Sequence, residues 1–491
     1  MSQINIANLS FNYDGCADSI FENVNLCLDT DWRLGLIGRN GRGKTTLLKL
    51  LHGDYEYSGK ITADTDFEYY PYEIEDTGDT VYNIIVGISG AQQWEAAREL
   101  SYLELRDDIL WRQFNTLSNG ERTKVLLAAL FLRENAFLLI DEPTNHLDEK
   151  TRSIVAQYLK QKKGYILVSH DRQLLDSCTD HILSINRKSI EILQGNFSGW
   201  EKSRAARDAF ETAQNEKLTH EIQRLKASAK HSAQISEGIE KTKKGTRTAG
   251  LRPDRGFIGH KSAKMMKRAK VIEKRRENAI EQKSLLLRDT EKSEELKLCP
   301  LQSAKSPILN IRNLSVSYRG KVINKPMSFE INSGMRIALR GRNGCGKSSI
   351  LKLICGEHIN HEGEIFKING LKISYIPQDA AFLCGNLSEY AALRGIDESI
   401  FKSILRKLDF ERTQFEKDMS EFSEGQKKKV LLAASLCESA HLYIWDEPLN
   451  FIDIISRLQI EELLRKYKPT LLFVEHDRTF VSRIATDIID M

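Results

Sequence analysis

The sequence has little of what a membrane or secreted protein needs. Its longest uninterrupted apolar run, Val125 to Leu132, has eight residues and stops at Arg133, whereas a membrane helix takes about 18. The chain starts with the strand-like Ile4-Asn5-Ile6 and has no apolar export leader. The eight cysteines form no CxxC pair, which argues against a zinc site or a disulfide framework and fits free thiols in a reducing compartment. We therefore expect a cytoplasmic protein with no membrane-spanning segment.

Glycine and proline are absent from two long stretches in the middle of the chain, Glu201 to Glu237 and His260 to Cys299. Apolar residues recur at helical spacing in each stretch, so each can form a long helix. The helix-breaking residues between them, from Gly238 to Gly259, mark a turn. We predict an antiparallel helical hairpin whose arms of roughly 37 residues extend about 55 Å.

Positive charge is concentrated at the tip of this predicted hairpin. Residues 201–300 contain 25 Lys and Arg against 15 Asp and Glu, although the whole chain has a net charge of only +4. Between Lys241 and Arg276 there are 14 basic residues and two acidic ones, Asp254 and Glu273. A polyanion is the natural partner of such a cluster. The alternative is a solvated linker whose charges have no specific partner.

The chain contains an internal repeat. Six features of the first half recur in the same order in the second half, 303 to 306 residues later. The matched pairs are Tyr13 and Tyr318, Lys44 and Lys347, Tyr72 and Gln378, Ser118 and Ser423, Asp141 and Asp446, and His170 and His476. We predict two similar domains, residues 1–198 and 306–491, joined by a linker over residues 199–305 whose basic tip lies at about 241–262.

Each half contains a phosphate loop of the form GxxxxGK[ST], placed between a short apolar strand and a helix-like run. The backbone N–H groups of such a loop surround phosphate oxygens at a helix N-terminus. Lys44 and Lys347 would reach the β- and γ-phosphates, and the hydroxyl groups of Thr45 and Ser348 would bind Mg²⁺. The predicted ATP contacts in these loops are Gly38, Asn40, Gly41, Gly43, Lys44, Thr45 and Thr46 in the first half and Gly341, Asn343, Gly344, Gly346, Lys347, Ser348 and Ser349 in the second.

Apolar strands that end in paired acids follow in both halves, as FLLIDE and LYIWDE. A buried strand delivers such carboxylates to the C-terminal edge of the sheet, where nucleotides bind in α/β folds. Asp141 and Asp446 fit the Mg²⁺ role, and Glu142 and Glu447 fit the general base that polarises the attacking water. The sequence therefore predicts two sites that hydrolyse ATP.

Further motifs in each half resemble those of ABC ATPases. LSNGE (Leu117 to Glu121) and FSEGQ (Phe422 to Gln426) resemble the signature sequence that distinguishes this class among phosphate-loop proteins. VSHD and VEHD contain His170 and His476, which resemble the switch histidine that contacts the γ-phosphate.

Two repeated positions with aromatic or amide residues extend the resemblance or depart from it. Tyr13 and Tyr318 resemble the aromatic residue that stacks on adenine. Gln378 resembles the glutamine that contacts ATP and Mg²⁺ in the family, whereas Tyr72 stands at this position in the first half. We therefore expect weaker Mg²⁺ or water contacts in the first half.

The resemblance implies an α/β fold with two tandem ABC-type phosphate-loop ATPase domains that pair within one monomer. Two ATP molecules would be held head to tail, each between the phosphate loop of one half and the signature Ser and Gly of the other. ATP would close the pair, and hydrolysis would reopen it. The first site would use Lys44, Asp141, Glu142 and His170 with Ser423 and Gly425, and the second would use Lys347, Asp446, Glu447 and His476 with Ser118 and Gly120.

Two ATPase halves joined by a long charged hairpin, with Gly195-Asn196-Phe197-Ser198 just before it, resemble the ABC-F family over essentially the whole chain. Members of that family bind ribosomes. The resemblance implies that the ATP-bound protein occupies the ribosomal exit-tRNA site. Its linker would point toward the peptidyl-transferase centre, beside 23S rRNA and the P-site tRNA.

Within the family, the chain is most similar to the antibiotic-resistance group that protects ribosomes from lincosamides, streptogramins A and pleuromutilins. The basic tip is extended, and the second half has DEPLNFID where the first has DEPTNHLD. The spacing from phosphate-loop Lys to signature Ser, 74 and 76 residues, leaves no room for the arm inserted there in many translation factors of the family.

The predicted tip contacts follow from how RNA is bound. Basic side chains pair with phosphates, and an aromatic ring stacks on an exposed base. The residues predicted for these roles are Lys243, Lys244, Arg247, Arg252 and Arg255 for phosphates and Phe257 for a base.

Two other interpretations stay open at this point. A translation factor of the same family would relieve stalled ribosomes and have no drug role. The ATPase subunit of a drug exporter would need a separate membrane partner, and it would leave the basic hairpin without a function.

Overall fold

The structure, a computed structural model, describes residues 2–13, 19–74, 76–144, 147, 149–186, 189–242, 274, 296–303, 305–318, 321–342 and 344–491. The chain divides into two compact units. One consists of Met1–Trp200 with Ser293–Met491, and the other of Glu201–Lys292. Both ATPase halves therefore lie in the first unit, and the central part of the linker forms the second.

The first half is a mixture of strands and helices. Its strands are β1 (Gln3–Phe11), β2 (Phe21–Asp29), β3 (Arg33–Gly38), β4 (Ser58–Thr62), β5 (Asp66–Tyr70), β6 (Ala136–Asp141), β7 (Tyr165–Val168), β8 (His181–Ile185) and β9 (Ile190–Gln194). Its helices are α1 (Lys44–His52), α2 (Val81–Ser89), α3 (Gln93–Tyr102), α4 (Asn119–Phe131), α5 (Glu149–Gln161) and α6 (Arg172–Cys178), with 3-10 turns at Asp107–Trp111 and Phe114–Thr116.

The second half repeats this order. Its strands are β10 (Leu309–Tyr318), β11 (Lys321–Val322), β12 (Met327–Ile331), β13 (Arg336–Arg340), β14 (His361–Lys367), β15 (Ile373–Ile376), β16 (Leu442–Asp446), β17 (Leu471–Val474) and β18 (Asp487–Asp490). After α7 (Phe197–Thr242) in the linker come α8 (Lys347–Cys355), α9 (Leu387–Arg394), α10 (Glu398–Lys407), α11 (Glu424–Cys437), α12 (Ile454–Tyr467) and α13 (Arg478–Ile484), with 3-10 turns at Arg412–Glu416 and Met419–Glu421. The predicted tandem α/β fold is confirmed.

A parallel sheet forms the centre of each half. The strand order is β5-β6-β7-β3-β8-β9 in the first half, where β9 is an antiparallel edge strand, and β15-β16-β17-β13-β18 in the second. The central strands, β6 and β7 in the first half and β16 and β17 in the second, are nearly continuous apolar runs, as expected when helices cover both faces of a sheet. For example, every residue of β7 and of β16 is buried. The phosphate-loop strands β3 and β13 lie inside these sheets, so the loops that follow them are held by a rigid core.

A smaller antiparallel sheet packs beside each parallel sheet, in the order β2-β1-β4 in the first half and β11-β10-β12, with β14 also on β10, in the second. Buried residues of β1 and β2, such as Ile4 and Leu28, share a core with Leu47 and Leu48 of α1. This packing fixes the start of α1 against the antiparallel sheet. The helical core of the first half also includes Ile454, which α12 of the second half contributes.

The first arm of the predicted linker hairpin is a helix of 46 residues, α7. At 1.5 Å per residue it extends about 70 Å. The second arm and the tip lie outside the described residues, apart from residue 274 and the end of the arm. At that end the prediction of a helix reaching Cys299 is wrong, because residues 296–300 are not helical.

The physical reason is burial. Leu296 and Leu298 are only 3% and 2% exposed and belong to the core of the second half, while the residue between them is exposed. An extended segment places alternate side chains on one face, which a helix cannot do. The packing of these two leucines outweighs the helical preference of the preceding sequence.

Within the described part of the chain, none of the helices combines the length and apolar character needed to cross a membrane. The longest, α7, contains charged residues along its length and has no long apolar run.

Candidate active sites

The phosphate loops connect the central strand of each parallel sheet to the helix that follows it. In the first half β3 ends at Gly38 and α1 begins at Lys44. The φ angles of Gly41 and Gly43 are 83° and 84°, and those of Gly344 and Gly346 are 79° and 94°. These left-handed values favour glycine. A Cβ at Gly43 would also lie 2.6 Å from the Ile20 side chain. Neither the backbone conformation nor the available space at this position therefore permits another residue.

The phosphate-loop lysines fold back over their loops. Lys44 Nζ donates to the carbonyl oxygens of Gly38 (2.9 Å) and Arg39 (3.1 Å) and to Asn40 Oδ1 (3.4 Å). Lys347 Nζ donates in the same way to the carbonyl oxygens of Gly341 (2.8 Å) and Arg342 (3.0 Å). Burial lowers the pKa of Lys44 although several carboxylates face it. An ammonium group held at the centre of such a loop is placed to bind phosphate oxygens.

The acid pairs lie at the C-terminal edge of each parallel sheet. Parallel pairing aligns Asp141 of β6 with Val168 and Asp446 of β16 with Val474, each two residues before the histidine of its half. Thr45 Oγ1 donates to Asp141 Oδ2 at 2.7 Å, as expected if both face one ligand.

The carboxylate of Asp446 is completely buried, and neither oxygen has a hydrogen-bond partner in the described structure. Burial raises the pKa of Asp446 to about 6, although the nearby Ser348 hydroxyl opposes the shift. A buried carboxylate without a partner is costly. A cation bound between Asp446 and Ser348 would remove this cost, so the donor set fits Mg²⁺. Mg²⁺ commonly binds through one or two carboxylates together with phosphate oxygens and water. No group of three or more His, Cys, Asp or Glu side chains suited to a metal occurs among the described residues.

Glu142 and Glu447 follow these aspartates and share an unusual backbone conformation. Their φ angles are 50° and 47°, the left-handed region that non-glycine residues rarely adopt. Their backbone N–H groups donate to the carbonyl oxygens of Val168 (2.9 Å) and Val474 (3.0 Å), which hold the turns in place. Backbone strain of this kind persists where the surrounding structure enforces it, often at functional sites.

The two glutamates differ in their hydrogen bonds. Glu447 Oε1 lies 3.1 Å from His476 Nε2, and Glu447 Oε2 accepts from Gln378 Nε2 (3.0 Å) and Asn450 Nδ2 (2.6 Å). Glu142 Oε1 lies 3.3 Å from His170 Nε2 without a well-formed hydrogen bond. Tyr72, which replaces the glutamine in the first half, is 39% exposed.

The electrostatic environment follows these contacts. Burial, reinforced by the neighbouring Asp141, raises the pKa of Glu142 above its ordinary range. Burial also acts to raise the pKa of Glu447, but the hydrogen bonds from His476 and Gln378 outweigh it and leave the pKa below its ordinary value. Burial, with Lys44 nearby, lowers the pKa of His170 far below its ordinary value. The two predicted bases therefore lie in different surroundings.

The predicted adenine-stacking tyrosines lie beside the start of the phosphate-loop helices. Tyr13 Oη is 2.9 Å from Thr46 Oγ1, and Tyr318 Oη is 3.2 Å from Ser349 Oγ. Tyr13 and Tyr318 are 38% and 47% exposed, so both remain accessible to a ligand.

The signature serines begin helices in both halves. Ser118 caps α4 and Ser423 caps α11, each with a reciprocal contact to the residue three positions later, Glu121 and Gln426. Each exposed serine therefore lies at a helix N-terminus, which favours an anion.

The first site is completed by residues of the second half. A Cβ at Gly425 would lie 2.9 Å from Asn40 Nδ2 and 2.6 Å from the Phe451 carbonyl oxygen. Asn40 Nδ2 donates to that same carbonyl oxygen at 2.8 Å. The structure thus brings the first phosphate loop against the second signature sequence, in the arrangement that the head-to-tail prediction requires.

The second site is a cavity of ≈ 400 Å³ between the halves. From the second half it is lined by Ile323, Gly344, Gly346, Lys347, Ser348, Ser349, Gln378, Glu447, Asn450 and His476, and from the first half by Leu147 and Arg152. Ser118 and Gly120 are not among the described residues that line it. Among the described residues, the atoms nearest to a Cβ at Gly120 belong to Thr151 and Leu147 of its own half.

Sequence reasoning missed a pair of tyrosines. Tyr69 Oη donates to Asp141 Oδ2 at 3.2 Å, and Tyr375, its counterpart 306 residues later, has a buried hydroxyl beside Asp446. The internal repeat could have revealed this pair, because Tyr69 and Tyr375 are separated by the same number of residues as Tyr72 and Gln378.

A pair of arginines was also missed. Arg457 Nη1 donates to the His170 carbonyl oxygen of the other half at 3.0 Å, and its counterpart Arg152 lines the second site. The predicted tip contacts Lys243, Lys244, Arg247, Arg252, Arg255 and Phe257, together with Asn343, lie outside the described residues.

Two sites that combine a phosphate loop, an acid pair and a histidine, each reached by residues of the opposite half, define a phosphate-loop ATPase with paired halves. The sequence profile of the ABC transporter family matches residues 21–145 and 324–450. The chain belongs to the ABC transporter family, and its two tandem domains bind and hydrolyse ATP.

Relatives match nearly the whole chain. It is 29% identical over 490 residues, 98% of this chain and 85% of the relative, to the ribosome protection protein VmlR of Bacillus subtilis (strain 168). It is also 29% identical over 514 residues, 99% of this chain and 80% of the relative, to the ATP-binding protein Uup of Buchnera aphidicola subsp. Acyrthosiphon pisum (strain APS). The chain is therefore homologous to ABC-F proteins.

Solved structures share the fold. The archaeal ribosome recycling factor aABCE1, solved in complex with the archaeal ribosomal stalk protein aP1, matches 98% of this chain and 87% of its own chain with a TM-score of 0.62. The identity is 19%, so this similarity concerns the fold alone.

Proposed function

We propose that this protein binds the ribosome in its ATP-closed state and protects the peptidyl-transferase centre from lincosamides, streptogramins A and pleuromutilins. The linker tip acts next to the drug site, on 23S rRNA and the P-site tRNA. Hydrolysis of ATP then releases the protein. In this proposal the protein is cytoplasmic and associates with ribosomes through the exit-site region.

One observation carries the proposal: α7 continues as a helix over 46 residues, most of them in a compact unit separate from the ATPase halves. Pairing of the halves does not require an element of this length. The segment that follows α7 is strongly basic, which suits a polyanion such as rRNA. The ribosome protection protein VmlR matches nearly the whole chain, and its name supports the ribosome as the partner.

We propose Mg²⁺ as the cofactor of ATP at both sites. Thr45 and Asp141 would hold it in the first half, and Ser348, Gln378 and Asp446 in the second. When bound, Mg²⁺ neutralises phosphate charge. Glu142 and Glu447 would orient the attacking water, His170 and His476 would contact the γ-phosphate, and Lys44 and Lys347 would hold the phosphates.

Trapping the closed state tests ribosome binding. In Glu142→Gln combined with Glu447→Gln, ATP still binds and closes the halves, but no carboxylate base remains. This variant with ATP should sediment with 70S ribosomes through a sucrose cushion. The matched control, Lys44→Ala with Lys347→Ala, lacks phosphate binding and should stay in the supernatant. A glutamine variant that stays in the supernatant at low ionic strength refutes the ribosomal role.

Shortening residues 245–257 tests the tip. Resistance of cells to a lincosamide should be lost, while ATP hydrolysis by the purified protein remains. Replacing the five basic tip residues by Gln keeps the length of the linker. This variant therefore distinguishes the effect of the tip's charge from the effect of its length. Full resistance in the shortened variant contradicts the proposed role of the tip.

A translation factor without a drug role is the second candidate. The match to the ATP-binding protein Uup, at the same identity, shows that relatives whose names state no drug role are equally similar to this chain. In that case the trapped variant binds ribosomes, but expression of the unmodified protein leaves drug sensitivity unchanged.

A further inference from the structure

We propose that Lys428 is a positioning residue of the second ATP site, where it holds Glu447 and the segment that carries Gln378 in the arrangement that hydrolysis requires. Lys428 lies on α11, one turn after the signature Ser423 that caps this helix. The inference rests on the proposed roles of Glu447 as general base and of Gln378 at the metal. It adds to the site a residue that belongs neither to the phosphate loop nor to the acid pair.

The ammonium group of Lys428 joins two segments of the second site. Its Nζ donates to the backbone carbonyl oxygen of Pro377 at 3.1 Å and to that of Glu447 at 3.2 Å. Pro377 directly precedes Gln378, whose Nε2 donates to Glu447 Oε2 at 3.0 Å. A backbone link and a side-chain link therefore connect the same two segments, which follow strands β15 and β16. Lys428 sets the distance between them.

The contact with Glu447 supports an uncommon backbone conformation. Glu447 has a φ angle of 47°, in the left-handed region. Its N–H donates to the Val474 carbonyl oxygen at 3.0 Å, and its carbonyl oxygen accepts from Lys428 and, at 3.5 Å, from the Asn450 N–H. A conformation of this kind persists only when the surrounding structure enforces it. Loss of Lys428 removes the closer of these two donors, so we expect the Glu447 carboxylate to move.

The burial of Lys428 indicates that its position is specific. Lys428 is only 2% exposed, whereas lysine is rarely buried unless it is paired. Burial lowers the pKa of Lys428, and the negative charges of Glu475, Asp446 and Glu447 oppose this. Burying a charge is costly unless it is paired and hydrogen-bonded. Lys428 meets both conditions through groups of the second site.

The repeat supplies a matched pair of residues that has no ammonium group. The counterpart of Lys428 is Thr123, and the counterpart of Ile376, which precedes Pro377, is Tyr70. Tyr70 Oη donates to Thr123 Oγ1 at 3.4 Å, and both Tyr70 and Ile376 are buried. A large ring accompanies the short threonine in the first half, and the smaller isoleucine accompanies the long lysine in the second. Exchanging this pair therefore separates the packing of Lys428 from its hydrogen bonds.

Turnover at the second site alone measures the effect. In a Glu142→Gln background, adding Lys428→Met should lower kcat about tenfold and change KM for ATP less than about twofold, because Lys428 orients Glu447 and does not hold the phosphates. Methionine keeps a long apolar side chain but donates no hydrogen bond. The control is Lys427→Met at the preceding, partly exposed lysine of α11, which should leave both constants unchanged. An unchanged kcat in Lys428→Met, or an increase in KM alone, overturns the inference.

Turnover at the first site distinguishes positioning from a general loss of stability. In a Glu447→Gln background only the first site turns over, and there Lys428→Met should leave kcat within about twofold. This result is expected because the two carbonyl oxygens that Lys428 contacts belong to the second site. An equal loss of kcat at both sites refutes the inference.

Lys428→Thr combined with Ile376→Tyr transfers the pair of the first half and serves if Lys428→Met does not fold. Its urea midpoint should lie closer to that of the parent than the midpoint of Lys428→Thr alone, because the ring fills volume that the lysine leaves. Its kcat at the second site should stay about tenfold below the parent, because a single hydroxyl donor cannot serve both carbonyl oxygens. Recovery of kcat together with the midpoint would show that Lys428 only fills space, and would refute the inference.

A separate variant tests the role of Glu447 on which the inference rests. Glu142→Gln with Glu447→Gln should have no measurable turnover, because neither site retains a carboxylate base. Residual hydrolysis there refutes the role of Glu447 as the base, whereas a parental kcat in Lys428→Met refutes only the role of Lys428. These assays contain no ribosomes, so their results do not depend on the ribosomal role.

Discussion

Arg457 of the second half donates a hydrogen bond from Nη1 to the backbone carbonyl oxygen of His170 in the first half, at 3.0 Å. The same guanidinium donates to the carbonyl oxygens of Ile452 from Nε (2.9 Å) and Leu449 from Nη2 (2.9 Å). Arg457 thus links the loop that follows Asp446 and Glu447 to His170, the switch histidine of the first half. We infer that Arg457 is a positioning residue for the first site.

Arg457→Ala should therefore lower kcat at the first site about tenfold, equivalent to about 1.4 kcal/mol of activation free energy. KM for ATP should change less than about twofold, because Arg457 orients His170 and does not hold the phosphates. The measurement uses a Glu447→Gln background, in which only the first site turns over. Arg457→Lys should recover little, because an ammonium group cannot make three donations in fixed directions.

Arg465→Ala is the matched control for Arg457, since Arg465 is an exposed arginine on the same helix, α12. It should behave like the parent protein. An increase in KM with unchanged kcat in Arg457→Ala would show a role in binding and contradict the positioning role.

The tyrosines of β5 and β15 give a second prediction. Tyr69 Oη donates to Asp141, whereas the buried Tyr375 Oη has no hydrogen-bond partner among the described residues. Tyr69→Phe should lower the free energy of unfolding by about 1 to 2 kcal/mol, because a hydrogen bond to a partly buried carboxylate is lost. Tyr375→Phe should leave it unchanged or raise it. Denaturant midpoints without nucleotide measure both, and equal destabilisation would contradict the assignment.

Much of both sites was predictable because their chemistry is encoded in contiguous motifs. Sequence neighbours alone identify the loop ending at Lys44, the strand ending at Asp141 and the following Glu142. The internal repeat supports each of these predictions, because the same motif recurs in the second half. Tyr69 was missed because a tyrosine in an apolar strand is usually a core residue.

The contacts between the halves were not predictable in this way. Arg172 and Glu461 are 289 residues apart, and each alone resembles an ordinary charge on an amphipathic helix. Their pairing depends on how the two sheets are placed, which no local pattern encodes. Leu296 and Leu298 illustrate the same limit, since burial in the core of the second half overrode a helical sequence.

A paired replacement in the second half gives a third prediction. In the first half Thr144 Oγ1 lies 3.4 Å from Ser169 Oγ in a buried position. Leu449 and Glu475 replace these residues, and Glu475 Oε1 accepts from the backbone N–H of Leu449 at 2.8 Å. Glu475→Ser should destabilise by about 1 to 3 kcal/mol, because the buried N–H loses its acceptor.

Adding Leu449→Thr to Glu475→Ser should recover part of that loss, because the first half shows that the hydroxyl pair fits this framework. A double-mutant cycle from urea unfolding gives the coupling free energy, which should exceed about 0.5 kcal/mol for residues in contact. Additive effects would show that the two replacements are independent.

The buried pair of Lys429 and Asp453 gives a fourth prediction, on pH. Lys429 Nζ lies 3.1 Å from Asp453 Oδ2, and the side chains are 3% and 0% exposed. Burial acts to raise the pKa of Asp453, but Lys429 and the Ser456 N–H outweigh it and hold the pKa far below its ordinary value. A carboxylate with a lowered native pKa stabilises the fold above the pKa of the unfolded chain, about 3.9. Its contribution is lost as pH falls below that value.

Lys429→Met should destabilise by about 3 kcal/mol at pH 7, because it leaves a buried carboxylate unpaired. This penalty should shrink between about pH 5 and pH 3, since protonation of Asp453 in the variant removes the unpaired charge. Lys429→Met with Asp453→Leu removes both charges, so its stability should depend less on pH than that of the parent over this range. Urea midpoints at several pH values measure all three proteins. A Lys429→Met penalty that stays constant down to pH 3 would mean that Asp453 carries no charge in the native protein, because only a charged partner makes the loss of Lys429 depend on pH.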